Sequence, residues 1–472
     1  MLKALVIKEL LEIRRDGRSW ILGVAVLGLL FVALAFSFAE SRALRAELAH
    51  ATHQAEEDFL NQDDKNPHVA AHYGTYVFKP ASALRFINPG VDAFVGSAIK
   101  LEAHRRGAAS GARAQDGTAL SRLGRLSVAA VVELLLPLVI IGVGFSAFTG
   151  ERERGTLRQL ASMGVMPRTL LLGKLLAQVV AIGALLLPAG LALIAASIML
   201  ASERGSLTRL LLLLGLYAAH ALTWMLLTLW ASARVRSSRS ALVLLLGLWV
   251  VSALVVPRLG ASATTALVRT PSTATLAAEV AESLERGLPG GEPKDDRVGA
   301  WSEQLLERYG FAGAETLMDA SLLSGIELMA EARFENEVID HHFGAFEAQV
   351  VRQERVGQAF GVLSPILSVR SVAMALAGTD AAHHRHFSGR AEQHRRALVE
   401  RLNHEFAERG GEAGFDYRAG REVWETAPRF AYQPPSARAA LRGQLISAGL
   451  ALLWLVLSAW LAVRATARIQ VV

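Results

Sequence analysis

The chain has 472 residues, 52% of them hydrophobic and only 19% charged, with a mean hydropathy of +0.33 and a net charge of +6. Soluble proteins carry roughly 25% charged residues, so a fully soluble chain is excluded, and the apolar content excludes a disordered one. Without a single cysteine, disulfides, thiolate metal sites and cysteine nucleophiles are excluded as well.

At the N-terminus Leu2, Val6, Leu10 and Ile13 fall on one helical face, with Lys3, Lys8, Glu9, Arg14 and Arg15 around the rest. That pattern predicts an amphipathic helix over 1–19 lying along a membrane surface. Six apolar runs follow that are long enough to cross a hydrocarbon core of roughly 30 Å as helices. They are Trp20–Ala39, Ser127–Phe148, Gly173–Leu200, Thr208–Ser232, Ala241–Pro257 and Leu441–Val463. The third is expected to include an interfacial turn, and the fifth is short. Ser37-Phe38-Ala39 is spaced like a signal-peptide cleavage site. The first run is too long for a secretory h-region of about 7–15 residues, so it is read as a retained span. The fold class is an all-α membrane protein.

The segments 40–126 and 258–440 separate these spans on one side. In the first, the Gly/Ala-rich stretch 106–117 reads as flexible. The second is large enough for a core of its own. Pro289-Gly290-Gly291 breaks it and Gln433-Pro434-Pro435 returns it to the last span. Ile326–Phe360 reads as one long helix. Ser364-Pro365 supplies an N-cap and a first helical residue, and Thr379 with Asp380 caps another helix. There Phe387, Ala391, His394, Leu398, Leu402 and Phe406 form one stripe. Met329, Phe334, Val338 and Phe346 on the preceding helix can face it. The expected product is an autonomous helical hairpin, 326–409, whose outer faces carry Arg390, Arg395, Arg396 and Arg401 against Glu335, Glu337, Glu347 and Glu354.

Orientation follows from lysine and arginine near the span ends. The segments 1–19, 149–172 and 233–240, Lys174 and the tail 464–472 hold fifteen basic and five acidic residues, a net +10, which leaves −4 for everything else. Both termini are therefore expected in the cytoplasm, with Trp20, Trp230 and Trp460 at that interface. The basic excess follows the membrane rule and not a groove, so nucleic-acid binding is not expected.

Between the second and third spans the chain reads Phe148-Thr149-Gly150-Glu151-Arg152-Glu153-Arg154-Gly155-Thr156-Leu157-Arg158-Gln159-Leu160, then Gly164, Pro167 and Gly173-Lys174. Gly155-Thr156 breaks one helix and starts a short amphipathic one with Leu157 and Leu160 on its apolar face. Such a helix, held between two span ends, is suited to dock in a partner's groove; the plainer reading is an ordinary basic loop. The string resembles the coupling-helix region of type-2 ATP-binding-cassette (ABC) permeases, and the N-terminal helix looks like that family's interfacial elbow. Leu363-Ser364-Pro365, Ala377-Gly378-Thr379-Asp380, His384-Arg385-His386-Phe387 and Arg401-Leu402-Asn403 resemble a subgroup with a large helical insertion before the last span.

The resemblance implies a multi-pass permease subunit of the bacterial inner membrane, with coupling carried by Glu151, Arg152, Glu153, Gly155, Thr156, Leu157 and Leu160. It implies two ATPase subunits that bind ATP and magnesium, and a second permease subunit, identical or homologous. Usual compact members lack so long an outer segment, so their small-drug substrates do not carry over. No phosphate loop of the Gly-x-x-x-x-Gly-Lys-Ser/Thr type exists, since Gly173-Lys174 is followed by leucine. The chain is therefore not its own ATPase and needs no cofactor.

Glu133 and His220 are ionisable groups within predicted spans, candidates for a translocation pathway or for helix packing. Counted from the outer span ends their depths differ by roughly 9 Å at 1.5 Å per residue, which disfavours a direct ion pair. Twelve of thirteen histidines lie in the outer segments, and the pairs His50/His53 and His383/His386 have a spacing that can share a metal. Real sites need three or four convergent ligands, so no metal site is expected.

Three readings remain: the membrane subunit of an ATP-driven exporter, a mechanotransmitter acting on a periplasmic partner with no substrate crossing, and an outer-side metal enzyme. A polar cavity between the spans favours the first, a sealed bundle with a moving outer part the second, bound metal the third. Reporter fusions at Gln115 and Gly290 should be active only in the outer compartment, and fusions after Arg236 or Val472 only in the cytoplasm. A cytoplasmic signal from Gly290 would overturn the six-span map.

Overall fold

A computed structural model describes residues 1–113, 126–200, 205–311 and 319–469. The protein is 77% helical. Helix α1 (Leu2–Arg15) is followed after Asp16 by α2 (Gly17–Leu60), then α3 (Pro67–Tyr73). A small antiparallel sheet follows, β1 (Thr75–Phe78), β2 (Ala98–Leu101) and β3 (Ala109–Ser110), in that order, with Val77 opposite Ile99. Then come α4 (128–144), α5 (Thr149–Glu153), α6 (Thr156–Ser162), α7 (Pro167–Met199), α8 (Ser206–Arg234) and α9 (Ser238–Leu267). The rest is α10 (Thr273–Arg286), α11 (Lys294–Arg308), α12 (Ala320–Ala359), α13 (Pro365–Ala377), α14 (Ala381–Arg409), α15 (Arg421–Thr426), α16 (Ala437–Arg442) and α17 (Leu445–Ala467).

Among the described residues, six helices, within Ser19–Leu60, Val128–Glu153, Pro167–Met199, Ser206–Arg234, Ser238–Leu267 and Leu445–Ala467, are long and apolar enough to cross a membrane. This is an all-α, multi-pass membrane protein. α2 is unbroken through Ser37-Phe38-Ala39 and beyond Ala39. At 1.5 Å per residue its 44 residues span about 66 Å, twice a hydrocarbon core. α7 is likewise unbroken, so the expected interfacial turn is absent: Pro188 is accommodated inside the helix.

The fifth span does not end at Pro257. Proline removes a donor and clashes with the carbonyl four residues earlier. Here the helix widens into a π-helical segment, Val251–Val255, just before Pro257 and continues to Leu267. The second span repeats the device: Val131–Leu135 is π-helical, and Pro137 follows. α8 is central and packs on α4, α7, α9, α13 and α17.

The segment 258–440 does not stand wholly apart from the spans. Ile366, Val369, Val372, Ala373, Leu376 and Ala377 of α13 are buried in the same core as Val132, Leu136, Leu213 and Tyr217. Ser364 caps α13 through the Leu367 N–H, Gly378 (φ 74°) ends it in the left-handed region, and Asp380 caps α14 through the His383 N–H. Arg209, buried near the start of α8, donates to the carbonyls of Ala375, Leu376 and Pro435. A cation there suits the negative end of the α13 dipole.

Nor is the α12–α14 hairpin autonomous. Phe387 and Ala391 close over Val77, Ile99 and Leu101 of the sheet, with Phe430 and Tyr432 at the edge. Leu398 and Leu402 pack with Ala70, Ala71, Val423 and Trp424. The stripe thus packs on the first outer segment and on the stretch 417–432 as well as on α12. Several of the charges expected on its outer faces hold these pieces together: Glu347 pairs with Arg106 at 2.8 Å, Arg395 donates to the Asn336 side chain of α12 at 2.6 Å, and Glu354 pairs with Arg385. Of the stretch 106–117, Ala109 and Ser110 form β3, while Gln115 lies outside the described residues.

Phe387 is fully buried between sheet and helix. Phe387→Ala should therefore cost about 3–5 kcal/mol and loosen the contact between the two outer segments. Limited proteolysis of the full chain should then cut β1–β2 and α14 together; parent-like resistance would disprove the packing.

Candidate functional site

At the end of the bundle that carries both termini, the motif is built into the protein on three sides. Glu151, on α5, is almost completely buried. Its carboxylate meets the Lys8 ammonium of α1 and lies 3.1 Å from Lys174 of α7; Lys174 is 2.8 Å from Glu9, and Lys8 is 2.9 Å from Glu9. Glu12 also lies 3.3 Å from Lys8. The carboxylates of Glu9, Glu12 and Glu151 converge closely enough to hold a cation, but two ammonium groups already sit among them. Burial alone would raise the pKa of Glu9; Lys174 and Lys8 outweigh it and hold the carboxyl below its usual range. Burial alone would lower that of Lys8, and its bonds to Glu151 and Glu9 raise it instead. Gly173 makes the approach possible, since a Cβ there would press on the Leu5 side chain at 3.1 Å.

The flanking residues tie α5 to the next cytosol-facing corner expected from the sequence. Arg152 donates to the carbonyls of Val235, at 2.6 Å, and Ala233, at 3.3 Å. Glu153 accepts from the Ser238 N–H at 2.7 Å and its hydroxyl at 2.8 Å, capping α9. The Ser232 hydroxyl accepts from the N–H groups of Phe148 and Thr149. Gly155 adopts φ +77°, a left-handed conformation costly for other residues, and so starts α6. Thr156 donates to the Glu151 carbonyl at 3.3 Å.

Leu157 differs from the expectation. It is 3% exposed and packs with Leu5, Phe148, Leu170, Leu226 and Leu229; Leu160 is half-buried beside the same cluster. A seven-residue helix has one apolar face, and here that face is consumed by the chain's own bundle. Arg158, Gln159, Ser162 and Met163 face outward instead, Met163 at 65% exposure.

Inside the bundle, Glu133 and His220 do meet, but through the backbone. Pro137 cannot donate to the Glu133 carbonyl, and His220 Nε2 occupies that acceptor at 3.2 Å. The two side chains form no ion pair with each other, since the contact is to the Glu133 carbonyl. The Glu133 carboxylate pairs with Arg370 of α13 at 2.9 Å, and the Tyr217 hydroxyl is 3.5 Å away. The sequence offered no pointer to Arg370, which sits in the segment read as external. Two further carbonyls of the π-helical segments are taken up by side chains: Leu134 by Trp249 at 2.8 Å and Ser252 by Ser364 at 2.8 Å.

The histidine pairs singled out by spacing do not act as pairs. His383 is buried against Asp380 at 2.5 Å and faces Arg209 at 3.4 Å, while His386 bonds Tyr432 at 3.2 Å. His50 and His53 are exposed on α2.

Comparison with known proteins places two families on the chain. The family described as ABC-2 family transporter protein matches residues 3–287. A domain of unknown function (DUF3526) matches residues 274–433. No curated protein matches.

The four-charge cluster is balanced, so removing one member strands another in a buried setting. Lys174→Met should lower stability by about 3–5 kcal/mol, and adding Glu9→Gln should recover part of the loss. Thermal unfolding of the purified protein measures both; a single variant as stable as the parent would disprove the cluster's role.

Proposed function

The chain belongs to the ABC-2 family of transporter proteins, and on that premise we propose that it is the membrane subunit of an ATP-driven exporter whose ATPase is a separate polypeptide. An ABC ATPase partner follows from the family. The finer reading is two ATPase subunits binding ATP and magnesium, a second permease subunit, a bacterial inner membrane and both termini in the cytoplasm, the last supported by the charge split between the two sides.

The observation that carries this reading is the buried cluster of Lys8, Glu9, Glu151 and Lys174. It joins the interfacial helix, the short α5–α6 unit and the start of α7 into one body. A push on α6 from outside then reaches α7 directly, and Arg152 and Glu153 carry it to the corner between α8 and α9. Coupling residues therefore divide in two. Glu151, Arg152, Glu153, Gly155, Thr156 and Leu157 transmit from inside the chain, and Arg158, Gln159 and Met163, with Leu160 at the margin, meet the ATPase.

A second reading rests on a different observation. α13, from the outer segment, is seated in the bundle and bonded to Glu133 in α4 and Ser252 in α9. Rearranging the spans would then move the outer segment, which favours mechanical work on a periplasmic partner with no solute crossing. Glu133 and His220 serve in that case as joints of the bundle and not as a pathway.

Arg158→Glu and Met163→Asp should leave the fold and membrane insertion intact but weaken ATPase binding by about 30-fold each, the size of an interface anchor. Co-purification and ATPase stimulation check this. Leu157→Asp should instead destabilise the subunit itself, by several kcal/mol for a buried unpaired carboxylate. Normal ATPase stimulation in both surface variants would end the coupling assignment.

A further inference from the structure

We propose that His68, His72 and His104 form a three-imidazole site for a divalent transition-metal ion, in the first outer segment and independent of the transport reading. His68 and His72 are one turn apart on α3, and His104 comes from the turn after β2. One ligand nitrogen from each lies within 4.8 Å of the others. The Nε2 atoms of His68 and His72 are 3.1 Å apart. Two nitrogens at 2.0–2.1 Å from one tetrahedral zinc are separated by about 3.3 Å, so that pair already has the spacing of two ligands.

Three features hold the rings in place. Asn66 caps α3 through the His68 N–H, and the Ala103 N–H donates to the Ala71 carbonyl at 2.9 Å, fixing the distance between helix and turn. His104 adopts φ +67°, alone among the described non-glycine residues in the left-handed region. Such a conformation persists where surrounding structure imposes it and is common at ligand sites. The third feature is the outer shell. His68 Nδ1 lies 2.9 Å from the Asn403 side-chain oxygen, and His104 Nδ1 lies 2.7 Å from the Glu335 carboxylate. With both Nδ1–H groups so engaged, the lone pair of each ring is on Nε2, the tautomer typical of metal-bound histidine.

One proton on His72 Nε2 can serve a single lone pair, whereas a metal serves all three. His72 is exposed, which leaves an entry path and an open fourth position on the solvent side. Imidazole donors suit zinc, copper and nickel over magnesium or calcium. The outer-shell groups come from α12 and α14, so the ion would stiffen the contact between the two outer segments.

The test uses the full chain, purified in detergent and stripped with a chelator, titrated with zinc by calorimetry and with cobalt by absorption. One zinc per chain should bind and raise the unfolding temperature. His72→Ala should lose more than the about 10–100-fold expected for Glu335→Gln, since outer-shell partners cost less than ligands. His104→Asn, which tolerates the left-handed backbone, should behave like His72→Ala. A His50→Ala/His53→Ala double variant should bind like the parent. Variants must match the metal-free parent in unfolding temperature, which separates ligand loss from misfolding. No stoichiometric zinc, or zinc retained in both His72→Ala and His104→Asn, would overturn the proposal.

Discussion

A polar group inside a membrane bundle has no water to turn to, and this constraint shapes the protein at each point where the helices depart from regularity. Pro137 and Pro257 each break a helical hydrogen-bond ladder within a span. Both breaks open into π-helical segments, and the carbonyls there find side-chain donors: His220 for Glu133, Trp249 for Leu134, Ser364 for Ser252. An unsatisfied group in hydrocarbon costs several kcal/mol. The irregular segments are therefore tolerable only because α8, α9 and α13 are packed against them. Removing α13 would strand the Glu133 carboxylate and the Ser252 carbonyl together.

The same logic governs the end with the termini. Glu9, Glu151, Lys8 and Lys174 are charges at the bundle margin, and each lies within 3.1 Å of an opposite charge. Their burial follows from the approach of α1 to α7, which Gly173 permits. Buried pairs of this kind add little net stability, because desolvation offsets the attraction; they specify which partner each element must meet. Here they bind the chain's first helix, its short intervening helix and its third span into a single piece. The two faces of α6 thus have distinct duties: Leu157 anchors it inward, and the outward face, with Met163 just after it, remains free for something else.

Much of this was legible in the sequence. Apolar length gave the six spans, and the Gly155-Thr156 break and Gly173-Lys174 marked the joint. Span ends were less legible, because proline reads as a stop, while a π-helical turn lets the helix run on past Pro257. The apolar face of α6 was visible, but seven residues look alike whether they dock on a partner or on their own bundle. α13 carried a signal that went unused: a 13-residue apolar helix is too short to span and long enough to be a buried core helix. Arg370, Asn403 and Glu335 left none, since their roles depend on contacts made across 237, 335 and 231 residues of chain. Regular spacing along a helix favoured His383 with His386, yet His383 is consumed by Asp380 and Arg209.

The outer half is best understood as an extension of the bundle. α2 leaves the membrane region as the same helix that entered it and runs on to Leu60 beside the sheet and α15. α13 returns from the outer half into the bundle, with Arg209 of α8 holding its C-terminal carbonyls and Arg370 holding Glu133. One rigid connection therefore runs outward and another inward, and the sheet, α12 and α14 are clamped between them. A shift of α4 against α8 changes the seat of α13, and only three residues, Gly378 to Asp380, separate α13 from α14. On the mechanical reading, displacement at the membrane would be passed on to α14 and the sheet packed on it. That mechanical continuity, and not the mass of the outer segment, is the physical reason to weigh work on an outer partner alongside passage of a solute.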